Sequence, residues 1–540
     1  MRRKIFTTKV RKTAALVLAA SLIAACVGQR AKADPVTDQT QPEDITEQAS
    51  GKAGEDYSSE RISTNYTVVS KKYSLPDYKG DAVNFEMKDA AVGDSKDKLT
   101  NETQGYEGSA QVLKLSTGDT AQAEIDVPED GLYCLDMDYL SYDESILPIS
   151  LGMQVDDAYP FYECRNMELE TTWKLSAEPS YDRYNNEVVA IPDKDIKWET
   201  QSLMDSSYRH SDPLKLELKK GKHTMKFTIK EGNFLFGKMT LRAPETIPAY
   251  SGSEKADGDA LITVQGEKYS TTNSSSIHGV VEYDTALDPY EVDDTVLNTL
   301  DSDSFSEAGQ KVTYSFEVEK EGNYNLALNY RQSEKTDFPV FVDVEVDGKI
   351  PNDAFRSYGM SYSTNYQTKA LTDADGNNLT VHLTPGTHTV SYTISMDNIR
   401  YIMEGLDRIM SDVNDLALEI TKVAGTNADK YRDLKLSRYI PNLEKTLNGY
   451  ADALTQLEAS AVKWSDSDKN VAVMSSMLIA AQQLRSLADS PDEIPYRIAE
   501  LSTSTSSVNH HLATTIDNLI ANGLAIDRVY IYQDGAELPS

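Results

Sequence analysis

Three cysteines in 540 residues exclude a disulfide-built scaffold. Basic residues are also scarce, with 53 Lys and Arg against 86 Asp and Glu and a net charge of −33. That excess repels phosphate backbones and excludes a nucleic-acid partner; it suits a soluble, exposed surface. No nucleophile elbow, zincin helix or phosphate loop occurs. The sequence therefore offers no catalytic motif, although paired carboxylates of a polysaccharide-degrading enzyme would leave no mark in it, their separation existing only in three dimensions. One long apolar run is present, residues 14–25, and it is too short to span a bilayer as a mature helix.

What is present is a chain with real cores. Apolar residues make up 39% and aromatic residues 8%, in a length that holds roughly three or four domains. Arg2, Arg3, Lys4, Lys9, Arg11 and Lys12 precede the apolar run, the layout of a signal peptide. The run ends in Ile23-Ala24-Ala25-Cys26, which resembles a bacterial lipobox. That resemblance implies cleavage after residue 25 and lipid on Cys26, which would hold the mature chain on the extracellular face of the cytoplasmic membrane. The alternative is a buried or incidental cysteine. Removal of the six basic residues takes the net charge to about −39. Residues 26–66 are polar and acidic without periodicity, as in a flexible linker.

A repeat organises the next three quarters. At an offset of 191 residues Gly131, Tyr133, Leu135, Tyr139, Pro148 and Asp156 map onto Gly322, Tyr324, Leu326, Tyr330, Pro339 and Asp347 without a gap. Both copies alternate apolar and polar residues, as half-buried strands do. A later hairpin repeats too, Gly221-x-His223-Thr224 matching Gly386-x-His388-Thr389, but at an offset of 165. The first copy is thus 26 residues longer between these landmarks, and a loop added to a rigid sheet is where binding specificity accumulates. The expected architecture is multidomain: two β-sandwich domains at 67–245 and 259–402, followed by an α-helical bundle at 403–523 and a strand-like tail at 524–540. Leu406, Ile409, Val413, Leu416 and Ile420 open the bundle at helical spacing, and one later helix is expected over residues 494–519. Cys134 alternates with Tyr133 and Leu135, so it is expected to face outward, either free or paired with Cys164.

The G-x-Y strand, the V-D-G-like turn and the G-x-H-T hairpin together resemble the jelly-roll sandwiches of carbohydrate-binding modules and galactose-binding-like domains. That resemblance covers residues 67–402 and implies noncatalytic glycan binding, often with structural calcium. A sugar needs an aromatic face and a few fixed polar groups. Candidates in the longer first copy are Tyr159, Phe161, Tyr162, Trp173, Tyr181, Tyr184 and Trp198, beside Asp182, Arg183, Asn185 and Asn186. Trp173 and Trp198 lead, because the second copy has no tryptophan; its own set is Tyr358, Tyr362, Tyr366 and Asn365. Any of these rings either meets a glycan or fills a sandwich end. Glu86 and Glu267 stand in comparable opening strands, where related modules use a carboxylate for calcium; each either does so or faces solvent. Asp373-x-Asp375-Gly376-Asn377 lacks the closing acid of a calcium loop and reads as a tight turn.

With the signal, Trp173-Lys174, Tyr181-Asp182-Arg183-x-Asn185-Asn186, Pro441-x-Leu443 and Ile494-Pro495-x-Arg497, the arrangement is similar to the amino-terminal portion of large Gram-positive surface lipoproteins. In that family a solute-binding module of a carbohydrate ABC importer follows the helices; no alternating βαβ stretch follows here. The resemblance implies a noncatalytic, glycan-binding lipoprotein associated with a carbohydrate importer and its permease. The competing reading is a surface adhesion or spacer protein whose helical bundle docks a partner.

Overall fold

The computed structural model describes residues 45–175, 179–291, 295–425, 429, 431, 434–465 and 471–539. The signal segment, Cys26 and the linker up to residue 44 lie outside the described residues.

In the first sandwich, β1 (Thr120–Val127), β2 (Gly131–Ser141) and β3 (Ile149–Val155) supply the repeat strands, and β4 (Gly221–Glu231) and β5 (Phe234–Arg242) complete it. One sheet runs β1, β4, β3 and then Met167–Leu169. The other centres on β2, flanked by β5 on one edge and by Glu199–Ser202 and Leu216–Leu218 on the other. Alternation sends Tyr133, Leu135, Met137 and Tyr139 of β2 inward, where they meet Ile149, Leu151, Met153, Phe227 and Phe236.

The second sandwich repeats this with β6 (Lys311–Val318), β7 (Gly322–Gln332), β8 (Val340–Val346) and β9 (Gly386–Ser395). Its polar details match those of the first. The Tyr133 hydroxyl donates to the Glu129 carbonyl at 2.7 Å, and that of Tyr324 to the Lys320 carbonyl at 2.8 Å. His223 Nδ1 lies 2.6 Å from Asp156 and His388 Nδ1 2.7 Å from Asp347, both aspartates with φ of 50°. Short polar side chains tolerate that left-handed conformation best. Identical wiring at equivalent sites establishes the duplication.

The helices are α1 (Arg400–Ala424), α2 (Leu443–Ala461), α3 (Ser475–Ala488) and α4 (Val508–Ile520). Leu406, Ile409, Val413 and Ile420 of α1 face Leu447, Leu454, Leu484 and Leu512, so the apolar rows make the bundle core as expected. The single helix expected over 494–519 is broken. Pro495 sits in a 3₁₀ turn, Pro491–Tyr496, a short helix Ala499–Ser502 follows, and Ser507 then caps α4 by accepting from the His510 amide.

Two connections differ from expectation. The tail strand β10 (Ala525–Tyr532) is an interior strand of the second sandwich, lying between β7 and Leu261–Gln265. It takes the place of β5, for Leu241 pairs with Leu135 in one copy and Ile531 with Leu326 in the other. In the first copy β5 follows β4 directly, whereas in the second the bundle is threaded between β9 and β10. The linker is also ordered from residue 45. Ile45–Ser50 is a helix whose Ile45 and Ala49 pack on the bundle, and Lys52 pairs with Asp412. Its apolar residues are too few to give a readable period, and the bundle supplies the missing partner.

Cys134 is buried and free, as is Cys164. Cys134 is 2% exposed rather than facing solvent as expected, and burial pushes its thiol up to about 11.

Candidate functional site

The residues added to the first copy do not hang free. Trp173–Lys174 pairs with Thr271–Thr272 of the second sandwich and with Asp193–Lys194, so the first sandwich lends edge strands to the second. Trp173 is 5% exposed in that junction, and this corrects its expected role: it packs between domains and presents no face to a ligand. Lys194 fastens the same segment to the first sandwich, its ammonium donating to Ser141 Oγ at 2.7 Å and the Ser145 carbonyl at 3.1 Å.

Beyond this clasp a hairpin projects, Ser180–Tyr181 pairing with Glu187–Val188. Asp182 builds its turn by accepting from the amides of Tyr184 and Asn186 and from Asn186 Nδ2 at 2.7, 2.9 and 3.1 Å. These bonds, those from Asn186 foremost, hold the carboxyl below its usual range. Asn185 takes the left-handed position at φ 66°. The hairpin's base is bonded to the second sandwich, the Glu187 amide donating to the Thr295 carbonyl at 2.8 Å. Its rings are open: Tyr181 is 56% and Tyr184 65% exposed, with the Arg183 guanidinium 4.5 Å from the Tyr184 ring. Val188, Val189, Ile191 and Ile196 continue the exposed apolar surface.

Trp198 lies half-buried on the outer face of the first sandwich. Its indole donates to the Thr103 carbonyl at 3.0 Å, and its ring centre is 4.3 Å from that of Tyr106. The Tyr106 hydroxyl donates to Asp138 at 2.8 Å, which also receives Thr200 Oγ1 at 2.7 Å. A Cβ on Gly237 would come within 2.5 Å of the Tyr106 ring, so that ring lies flat where only glycine leaves room. Tyr106 and Asp138 were not foreseen from the sequence. The available signal was Tyr106 between two glycines in Gly105-Tyr106-Glu107-Gly108.

Several expected ligand residues are structural. Phe161 is 1% exposed in the first core. Tyr159 stacks under Arg165 at 4.4 Å, and Tyr358 is core in the second copy. Tyr366 lies under Arg331 and donates to Thr299. Asp373 accepts from the amides of Asp375 and Asn377, the tight turn expected there.

Of the two metal candidates, Glu267 is the more distinctive. Both of its carboxylate oxygens are buried with no hydrogen-bond partner from another residue, and burial pushes it up to about 8 against the opposing pull of its own backbone amide. Glu86 has one such oxygen. Among the described residues no three His, Cys, Asp or Glu side chains are grouped to hold a metal ion, and no helix is long and apolar enough to cross a membrane.

The fold and surface define a multidomain protein of two jelly-roll sandwiches and a helical bundle, with exposed rings on one sandwich. Residues 401–519 match the family model described as the bacterial solute-binding protein 4-helix bundle domain. No curated protein matches the chain. Similar solved structures include a family 35 carbohydrate binding module from Clostridium thermocellum, at 12% identity over 30% of this chain and 99% of that one, TM-score 0.20. The C-terminal CBM6 of LamC from Zobellia galactanivorans is 11% identical over 30% of this chain and 98% of that one, TM-score 0.17. The Podospora anserina GH26-CBM35 mannanase is 15% identical over 34% of this chain and 32% of its own, TM-score 0.19.

Proposed function

We propose that this chain is a noncatalytic glycan-binding protein of the cell surface, held by lipid on Cys26 and acting as an accessory to a carbohydrate importer. One observation carries the binding reading: Tyr181 and Tyr184 stand exposed on a hairpin braced against the second sandwich, beside Arg183. Exposed rings of this size bind the C–H face of a sugar, and bracing lowers the entropy lost on contact. The match of the bundle to a solute-binding domain supports the importer link.

Electrophoresis of the protein through gels containing plant or microbial polysaccharides tests this. At least one glycan will retard the protein. Tyr181→Ala with Tyr184→Ala will cut retardation about thirtyfold or more, since each anchoring ring is worth about 1 kcal/mol or more, while Trp198→Ala will weaken it less. Unchanged migration across a broad panel would remove the reading. For the anchor, Cys26→Ser will move the protein from the membrane fraction to the medium; a variant still found in membranes means that Cys26 is not the attachment point.

Glu267 is the residue that would hold a structural calcium, because its two buried oxygens take no bond from any other residue and a cation would supply one. Main-chain oxygens and water would complete the shell. Chelation will lower the melting temperature of the wild-type protein and leave Glu267→Gln unmoved; equal responses of the two would place the ion elsewhere.

A further inference from the structure

A cavity of about 270 Å³ opens where three parts of the chain meet. Arg61 and Ile62 come from the N-terminal helices, Tyr162, Glu163, Asp205 and Arg209 from the first sandwich, and Glu404 and Asp407 from α1. None of these residues belongs to the hairpin that carries the exposed rings.

Three arginines, Arg61, Arg209 and Arg408, line it with four carboxylates, Glu163, Asp205, Glu404 and Asp407, so its charges nearly balance. Arg209 Nη1 donates to Asp407 at 2.7 Å, and Arg61 approaches the same carboxylate oxygen at 3.6 Å. Asp205 accepts from the Ser207 amide at 2.9 Å and from its hydroxyl at 2.7 Å. Glu404 accepts from Thr67 Oγ1 at 2.6 Å, and Glu163 from the Tyr66 amide at 2.9 Å. His210, which also lines the cavity, is held neutral: burial and the nearby Arg400 push it down to about 2. A charged ligand would have to displace one of these partners and leave a half-buried ion uncompensated. A hydroxyl does not, for it both donates and accepts, so it uses the spare lone pairs of Asp and Glu and the spare N–H groups of Arg together. Tyr162 and Ile62 add apolar wall for a C–H face.

We infer that this junction cavity binds a neutral sugar unit, one or two rings in size, at a site separate from the exposed hairpin. A sugar held there touches the first sandwich, the N-terminal helices and the bundle together, so binding stiffens their arrangement and raises the melting temperature.

The test titrates the full chain calorimetrically with neutral mono- and disaccharides (glucose, galactose, mannose, xylose, arabinose, maltose and cellobiose) and with glucuronate and galacturonate. At least one neutral sugar will give a saturable signal and a higher melting temperature. Ser206→Trp, in the lining, will weaken it at least ~10-fold, and Asn166→Leu will do the same from a second lining position. Tyr181→Ala with Tyr184→Ala will leave it unchanged, and Ser206→Trp will keep wild-type retardation in polysaccharide gels, which separates this site from the hairpin. No response to any sugar, response to the uronates alone, or full binding by both folded lining variants overturns the inference.

Discussion

A chain cut after Gly523 will fail to fold its second sandwich, although that sandwich's other strands are all still present. β10 lies between β7 and Leu261–Gln265, so the cut strips hydrogen bonds from both neighbours. It also removes Ile526, Val529, Ile531, Tyr530 and Tyr532, each 6% exposed or less. At about 2 kcal/mol for each buried side chain the loss approaches 10 kcal/mol, comparable with the whole stability of an ordinary domain. The bundle will suffer with it, because Phe338, Phe341 and Met396 of the second sandwich belong to the bundle's core. The first sandwich has its own β5 and will persist. Limited proteolysis of the truncated protein should leave a protected fragment ending near residue 245. A cooperative melt like that of the full chain would show that β10 is dispensable.

Replacing Lys335 by Met will stabilise the protein. Lys335 is fully buried between the second sandwich and the end of the bundle, its ammonium donating to Asn522 Oδ1 at 2.5 Å. Burial pushes its pKa from 10.5 down to about 7. That shift corresponds to roughly 4–5 kcal/mol of cost for the charged amine. Leaving the Asn522 oxygen without a donor returns about 1–2 kcal/mol, so the variant gains about 2–4 kcal/mol near neutral pH. The sign with pH follows from a folded value below the unfolded one. The cost is absent above pH 10.5, grows as pH falls toward 7, and is complete below that. Denaturation of both proteins between pH of about 6 and about 10 will show the advantage of Lys335→Met shrinking as pH rises. A variant no more stable than wild type at the acidic end would mean that the amine is solvated.

The sandwiches were legible because the repeat places Gly, Tyr and Asp at fixed offsets, and those residues keep the same hydrogen bonds in both copies. The apolar rows of the bundle were legible at a spacing of three and four residues. The place of β10 was not read, although the repeat contained the clue: the first copy has Phe234–Arg242 after its last hairpin, and the second has no strand there until residue 525. Of the candidate rings in the longer copy, Tyr181 and Tyr184 are exposed and Trp198 is half-buried. Trp173 is buried, because an aromatic ring in an added loop serves equally to fasten that loop to a neighbouring domain. Strand exchange between domains leaves no periodicity in the chain that makes it.

Threading the bundle between β9 and β10 also sets an order of events on the ribosome. The first sandwich has every strand it needs once Arg242 has been made. The second must keep an open slot in its sheet while residues 396–524 are synthesised, until Ala525–Tyr532 emerges to fill it. For that interval the flank of β7 is an unpaired edge, the stage at which a nascent chain is most exposed to pairing with a stranger.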